Sequence, residues 1–155
     1  MRIPKIYIDT SVIGGCFDRE FAPWSNGLMK DIRLGHFKCV ISEIVSAEIE
    51  DAPDAVKQKY NEIRALETEE LFLSEEVEGL LNAYRKHSIL ANKFRNDMLH
   101  IAFATFARVD ILVSWNFRHI VRFDKIRQFN AVNIEQGYQP LAIHSPREVT
   151  NYVEY

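Results

Sequence analysis

The chain has 155 residues, of which 47% are hydrophobic, 12% aromatic and 26% charged. That composition excludes a disordered or low-complexity chain and predicts one domain, residues 1–155, with a core that needs no staples. The formal net charge of −3 argues against a polyanion-binding surface overall, yet from Arg85 to Arg127 nine Lys and Arg stand against three acids.

Ile3 to Ile8 is short, apolar and β-rich, which predicts a strand, and Asp9-Thr10-Ser11 suits a strand end turning into a helix. A helix is expected from Pro23 to Leu34, stopped by Gly35. His36 to Ile41 reads as the second strand, after which Ser42 caps a helix carrying Ile44, Val45, Glu48 and Ile49. Pro53 starts another helix, running to about Leu66, and Leu71-Phe72-Leu73 reads as a third strand. Ser74-Glu75-Glu76 opens the next helix, and the chain loosens from His87 to Arg95.

Asn96-Asp97 then opens a helix that is apolar almost all round, as a buried helix is. Ile111-Leu112-Val113 is the fourth strand, ending at Ser114-Trp115-Asn116. A polar helix from Arg122 to Gly137, a fifth strand at Leu141 to Ile143 and a helical turn from Pro146 complete the chain. Strands alternating with helices predict an α/β fold with a mostly parallel sheet and helices on both faces.

Cys16 and Cys39 form no metal-binding or redox pair and read as buried hydrophobes in a reducing compartment. The N-terminus does not read as a signal peptide, and no apolar run approaches the roughly 18 residues needed to span a bilayer. A cytoplasmic protein with no membrane partner is expected.

In an open parallel sheet, ligands bind beyond the carboxyl ends of the strands. Asp9 follows the first strand there, and Ser114 and Asn116 follow the fourth. Glu48 lies on the helix after the second strand, and Asp97 opens the helix leading into the fourth. The crossover rule makes the first and fourth strands neighbours at a switch point, where three carboxylates and one amide converge. Packed carboxylates repel unless a cation compensates. Hard oxygen donors select Mg²⁺ or Mn²⁺ over zinc. Taken singly, each acid is also an ordinary helix cap or solvated side chain, so convergence carries the argument.

The residues in order resemble the PIN-domain nucleases, especially their VapC-like toxin branch. KIYIDTSVIGG is similar to the first motif, with Asp9 as leading metal ligand. ISEIVSAEIE resembles the second, with Glu48 as its acid. NDMLHIAFATFARVDILVSWNF resembles the third, with Asp97. The resemblance covers the whole chain and implies a three-layer α/β/α sandwich around a five-stranded sheet. It further implies Mg²⁺- or Mn²⁺-dependent endoribonuclease activity, dimerisation, and an antitoxin protein as partner. Many members carry a fourth acid where this chain has Asn116, which is expected to ligate through its amide oxygen; Asp18, Glu20 and Glu43 are other candidates for that place.

Thr10, Ser11, Ser114 and His100 are expected to support the acids from behind. Lys93, Arg95, Arg118, His119 and Arg122 flank the rim and are expected to meet RNA phosphates, with Trp115 and Phe117 available to stack on bases. Two other enzyme classes fit less well. A haloacid-dehalogenase-type phosphatase needs a second Asp at Ser11, and a receiver domain needs an acidic pair and a phospho-accepting Asp that are missing. A PIN-like module that binds RNA or protein without cutting is the remaining alternative, motivated by Asn116.

Overall fold

The computed structural model describes residues 2–151. Five strands form a wholly parallel sheet: β1 (Lys5–Ile8), β2 (Lys38–Ser42), β3 (Glu69–Leu71), β4 (Ile111–Val113) and β5 (Ile143–His144), in the order β3-β2-β1-β4-β5. The helices are α1 (Thr10–Gly15), α2 (Ala22–Arg33), α3 (Glu43–Ile49), α4 (Asp54–Arg64), α5 (Glu75–Lys86), α6 (Arg95–Phe106), α7 (Phe123–Glu135) and α8 (Pro146–Val149).

Side chains on a strand alternate between faces, and the central strand feeds two cores in this way. Tyr7, with Val40 and Leu112, packs under α5, α6 and α7. Ile6 and Ile8, with Ile41 and Val113, pack under α1, α2, α3 and α4. Ile6, Tyr7 and Ile8 are all fully buried, which is why this strand reads as a continuous apolar run. The result is the expected three-layer α/β/α sandwich. Helix α6 is buried from Met98 to Thr105, as its unbroken apolar sequence requires.

β1 and β2 begin two residues later than expected, at Lys5 and Lys38, and two other strands are displaced. The third was expected at 71–73, but the ladder pairs Glu69, Glu70 and Leu71 with Val40, Ile41 and Ser42. Pairing with β2 sets this edge strand, and Phe72 and Leu73 lie beyond it at 64% and 38% exposure. The fifth was expected at 141–143 and lies at Ile143–His144. Asn130 explains the shift: its amide bonds both the N–H and the carbonyl of Leu141, taking that residue out of the ladder. Helix α6 starts at Arg95, after a 3₁₀ turn over Asn92–Phe94, so Asp97 lies inside its first turn.

Strand β1 pairs with β2 on one side and β4 on the other, with Ile8 level with Val113. The chain winds outward through β2 to β3, then returns to the other side of β1 for β4 and β5. This is the switch point expected from the sequence. The connections leaving β1 and β4 run to opposite sides there, opening a crevice at their carboxyl ends.

Candidate active site

Asp9 follows β1 at the N-cap position of α1, but its side chain makes no capping bond. Both carboxylate oxygens are held elsewhere. Ser11 Oγ donates to Oδ1 at 2.5 Å and Ser114 Oγ donates to Oδ2 at 2.5 Å. Ser11 Oγ accepts the Trp115 N–H, and Ser114 Oγ accepts the Asn116 N–H. The turn after β4 is thus fastened to the first acid through two hydroxyls. Asp9 is 4% exposed. Burial raises its pKa; the charge of His100 and the two serine bonds oppose that rise without cancelling it.

Glu48, on α3, takes two bonds on one oxygen. Thr10 Oγ1 donates to Oε1 at 2.9 Å, and His100 Nε2 lies 2.7 Å from the same atom. Its pKa is lowered: burial works the other way, but the bond and charge of His100 outweigh it, helped by Thr10 and Asn96.

Behind Glu48 runs a buried chain that the sequence did not reveal. His100 Nδ1 meets Tyr7 Oη at 2.7 Å, and Tyr7 Oη meets Ser42 Oγ at 2.7 Å. Tyr7 and Ser42 are fully buried and His100 is 2% exposed. A carboxylate only accepts, so His100 Nε2 carries hydrogen toward Glu48. When the ring is neutral, Tyr7 donates to Nδ1 and accepts from Ser42. When it is charged, Nδ1 donates to Tyr7, which donates to Ser42. Both states are fully bonded. Burial opposes the charge on His100, but the Glu48 bond and the charges of Asp9, Glu48 and Asp97 raise its pKa overall. All three acids therefore act on one imidazole.

Asp97, from the first turn of α6, meets His119 Nδ1 at 2.9 Å through Oδ2. His119 was expected at an RNA surface; it lies instead against this acid, with the Phe94 ring 3.9 Å from its own. Asn116, expected as a ligand, has its amide oxygen on the backbone of its own turn. Its Oδ1 accepts the N–H groups of Arg118 and His119 at 3.2 and 3.0 Å, closing the turn that presents His119. Two of the substitute acids hold backbone groups, Asp18 the Glu20 N–H and Glu43 the Leu73 N–H, while the third, Glu20, is exposed.

The other residues expected at the rim are mixed. Arg118 is exposed on the turn after β4, and Arg95 stands two residues before Asp97. Lys93 lies over the Phe94 ring and Arg122 pairs with Asp124 at 2.8 Å. Trp115 is 6% exposed, stacked on Phe21 at 4.1 Å, with its Nε1 donating to Ser25. It is a core residue, and only Phe117, 50% exposed, is open to a base.

Among the described residues no three Cys, His, Asp or Glu side chains are grouped as a ready cation cage. In kind, however, the donor set suits a hard divalent ion: three carboxylates from three elements, without thiolate, around one crevice. Among the described residues no helix is long and apolar enough to cross a membrane.

Neither protein-family models nor curated protein sequences give a match. Solved structures do. The chain is similar to VapBC2 from Rickettsia felis, solved bound to a DNA fragment from its promoter, with TM-score 0.58 and 15% identity over 91% of this chain and 98% of that one. It is similar to FitAcB from Neisseria gonorrhoeae, with TM-score 0.60 and 14% identity over 93% and 99% of the two chains. It is also similar to VapBC-1 from nontypeable Haemophilus influenzae, with TM-score 0.59 and 14% identity over 92% and 98%. At such identities the likeness is one of architecture: the chain has the α/β fold of the PIN-domain proteins that its three acidic motifs resemble.

Proposed function

We propose that this chain, acting as a single domain, is a metal-dependent endoribonuclease that hydrolyses RNA phosphodiester bonds, and that it is the toxin of a toxin–antitoxin module. The observation that carries the reading is geometric: Asp9 at the end of β1 is bonded by Ser114 from the end of β4, and Glu48 beside it is bonded by Thr10 and by His100, which shares α6 with Asp97. The fold likeness to VapBC and FitAcB structures supports an antitoxin as protein partner, and the resemblance of the sequence supports a second copy of the chain.

Asp9, Glu48 and Asp97 are the residues that would hold Mg²⁺ or Mn²⁺. Such an ion, when bound, lowers the pKa of a water and stabilises charge on phosphate oxygens. The chain's own work is to hold the acids still. Ser11 and Ser114 fix Asp9, Thr10 and His100 fix Glu48, and Arg118 with Arg95 offers charge to the RNA backbone. Cytoplasmic action on RNA fits this chemistry.

The test is cleavage of a labelled single-stranded RNA with Mn²⁺ or with chelator, by the wild type and by Asp97→Asn purified identically. Metal-dependent cutting that falls at least a hundredfold in the variant is the expected result, since a contaminating nuclease survives the substitution. Cutting equal in both rejects the acid assignment. Cutting by neither favours the second reading, a PIN-like module that binds RNA or protein. The observation behind that reading is that each acid already has imidazole or hydroxyl partners.

A further inference from the structure

We propose that His119 is the positioning residue for Asp97, and that the turn after β4 exists to deliver it. The inference rests on the metal reading above. Where a fourth acid was expected, the chain builds a support for the third one instead.

The geometry is specific. His119 Nδ1 lies 2.9 Å from Asp97 Oδ2, with side chains 13% and 23% exposed. A carboxylate has no hydrogen to give, so Nδ1–H donates. The bond holds Oδ2 and leaves Oδ1 as the oxygen to meet a cation. On Glu48, too, the Thr10 and His100 bonds share one oxygen, Oε1. The imidazole itself is held by two independent features. Phe94, the residue before α6, packs its ring against it at 3.9 Å. Asn116 fixes the backbone beneath it: Oδ1 accepts from Arg118 and His119, and the Asn116 carbonyl accepts from Ile120 and Val121. Ile120 is fully buried, which anchors the far end of the turn. The same turn reaches Asp9 through Ser114. One short segment therefore sets two acids from different elements relative to each other.

Partners that orient metal ligands are commonly worth about 10–100-fold in metal affinity. The experiment is calorimetric titration of the full chain with Mn²⁺, for the wild type, His119→Ala, His119→Asn and His119→Gln, with thermal midpoints recorded for each. RNA cleavage is measured alongside, as kcat and KM. His119→Ala is expected to weaken Mn²⁺ binding about 10–100-fold and to lower kcat at limiting Mn²⁺, with KM for RNA unchanged. His119→Asn, whose amide nitrogen falls near the place of Nδ1, is expected to recover most of the affinity. His119→Gln, whose amide falls near Nε2, is not. Should truncation unfold the chain, the Asn and Gln variants carry the comparison.

Wild-type affinity in His119→Ala overturns the proposal, as does equal weakness in the Asn and Gln variants. A raised KM with intact Mn²⁺ affinity also overturns it, since His119 is then an RNA contact. A wild type that binds no Mn²⁺ at millimolar concentration removes the metal reading itself, and this inference with it.

Discussion

Tyr7 shows how much of the rim is decided one shell away from the acids. Its hydroxyl joins Ser42 to His100 inside the sheet–helix core. Tyr7→Phe keeps the ring, which meets His100 edge-on at 5.7 Å, and removes only the oxygen. The change leaves the buried His100 Nδ1 without its hydroxyl partner. The expected cost is about 1–3 kcal/mol, read as a lower urea midpoint at unchanged slope; an unchanged midpoint would show that the hydroxyl chain adds nothing to stability. Residues of this kind were not legible beforehand. The places of Asp9 and Asp97 in the fold were readable because strand ends and helix starts announce themselves in sequence, and Glu48 because it follows the capped start of α3. Tyr7 and His119 were not, because their partners lie far along the chain. Tyr7 looks like an ordinary core strand residue, and nothing local says that position 119 meets position 97. Asn116 was ambiguous for a related reason: an Asn after a strand fits a ligand and a turn equally well, and its two backbone bonds show the turn role.

At the level of elements, α1 is pinned closely to the loop after β4. Trp115 and Ser25 pack against Gly15 so tightly that an added Cβ would stand 2.5 Å from Ser25 Oγ and 2.7 Å from Trp115 Nε1. Those two atoms are bonded to each other, and Ser25 Oγ also donates to the Val12 carbonyl. Gly15→Ala is expected to break this knot and destabilise the protein by about 1–3 kcal/mol. At about 2–4 °C per kcal/mol for a chain of this size, differential scanning will resolve it, and an unshifted midpoint would mean that Trp115 can swing away freely. The strands and helices themselves were mostly legible. Apolar triplets and quartets bounded by Ser, Gly and Pro marked nearly every element. β1 and β2 only start two residues late, whereas the strands displaced as a whole are those at the sheet edges, β3 and β5. An edge strand has one partner, so its extent follows that partner's register, and for Leu141 a side chain from α7 replaces the ladder altogether.

Across the whole molecule, the two halves of the sheet are stitched at the end opposite the rim. Arg2 grips Asp110 with two bonds, Nη2 to Oδ1 at 2.7 Å and Nη1 to Oδ2 at 3.1 Å, and the Lys5 N–H adds a third at 2.8 Å. The Arg2 bond, then the Lys5 bond, hold the Asp110 pKa below its usual value. A depressed acid contributes stability that is complete above its unfolded pKa of about 3.9 and vanishes as the pH falls through the lower folded value. Asp110→Asn is therefore expected to lower the urea midpoint at neutral pH, with the gap to the wild type closing as the pH falls through the depressed folded value. A gap that persists into acid would show that shape, rather than charge, makes the clamp.

The place of β4 in the sheet has a consequence for timing. Synthesis delivers Asp9, Glu48 and Asp97 before the strand that slots in beside β1, and Ser114 and His119 come after that strand. A growing chain on the ribosome thus carries its acids well before it can hold them in register. The rim of each nascent chain is therefore complete only once the late segment has locked into the sheet.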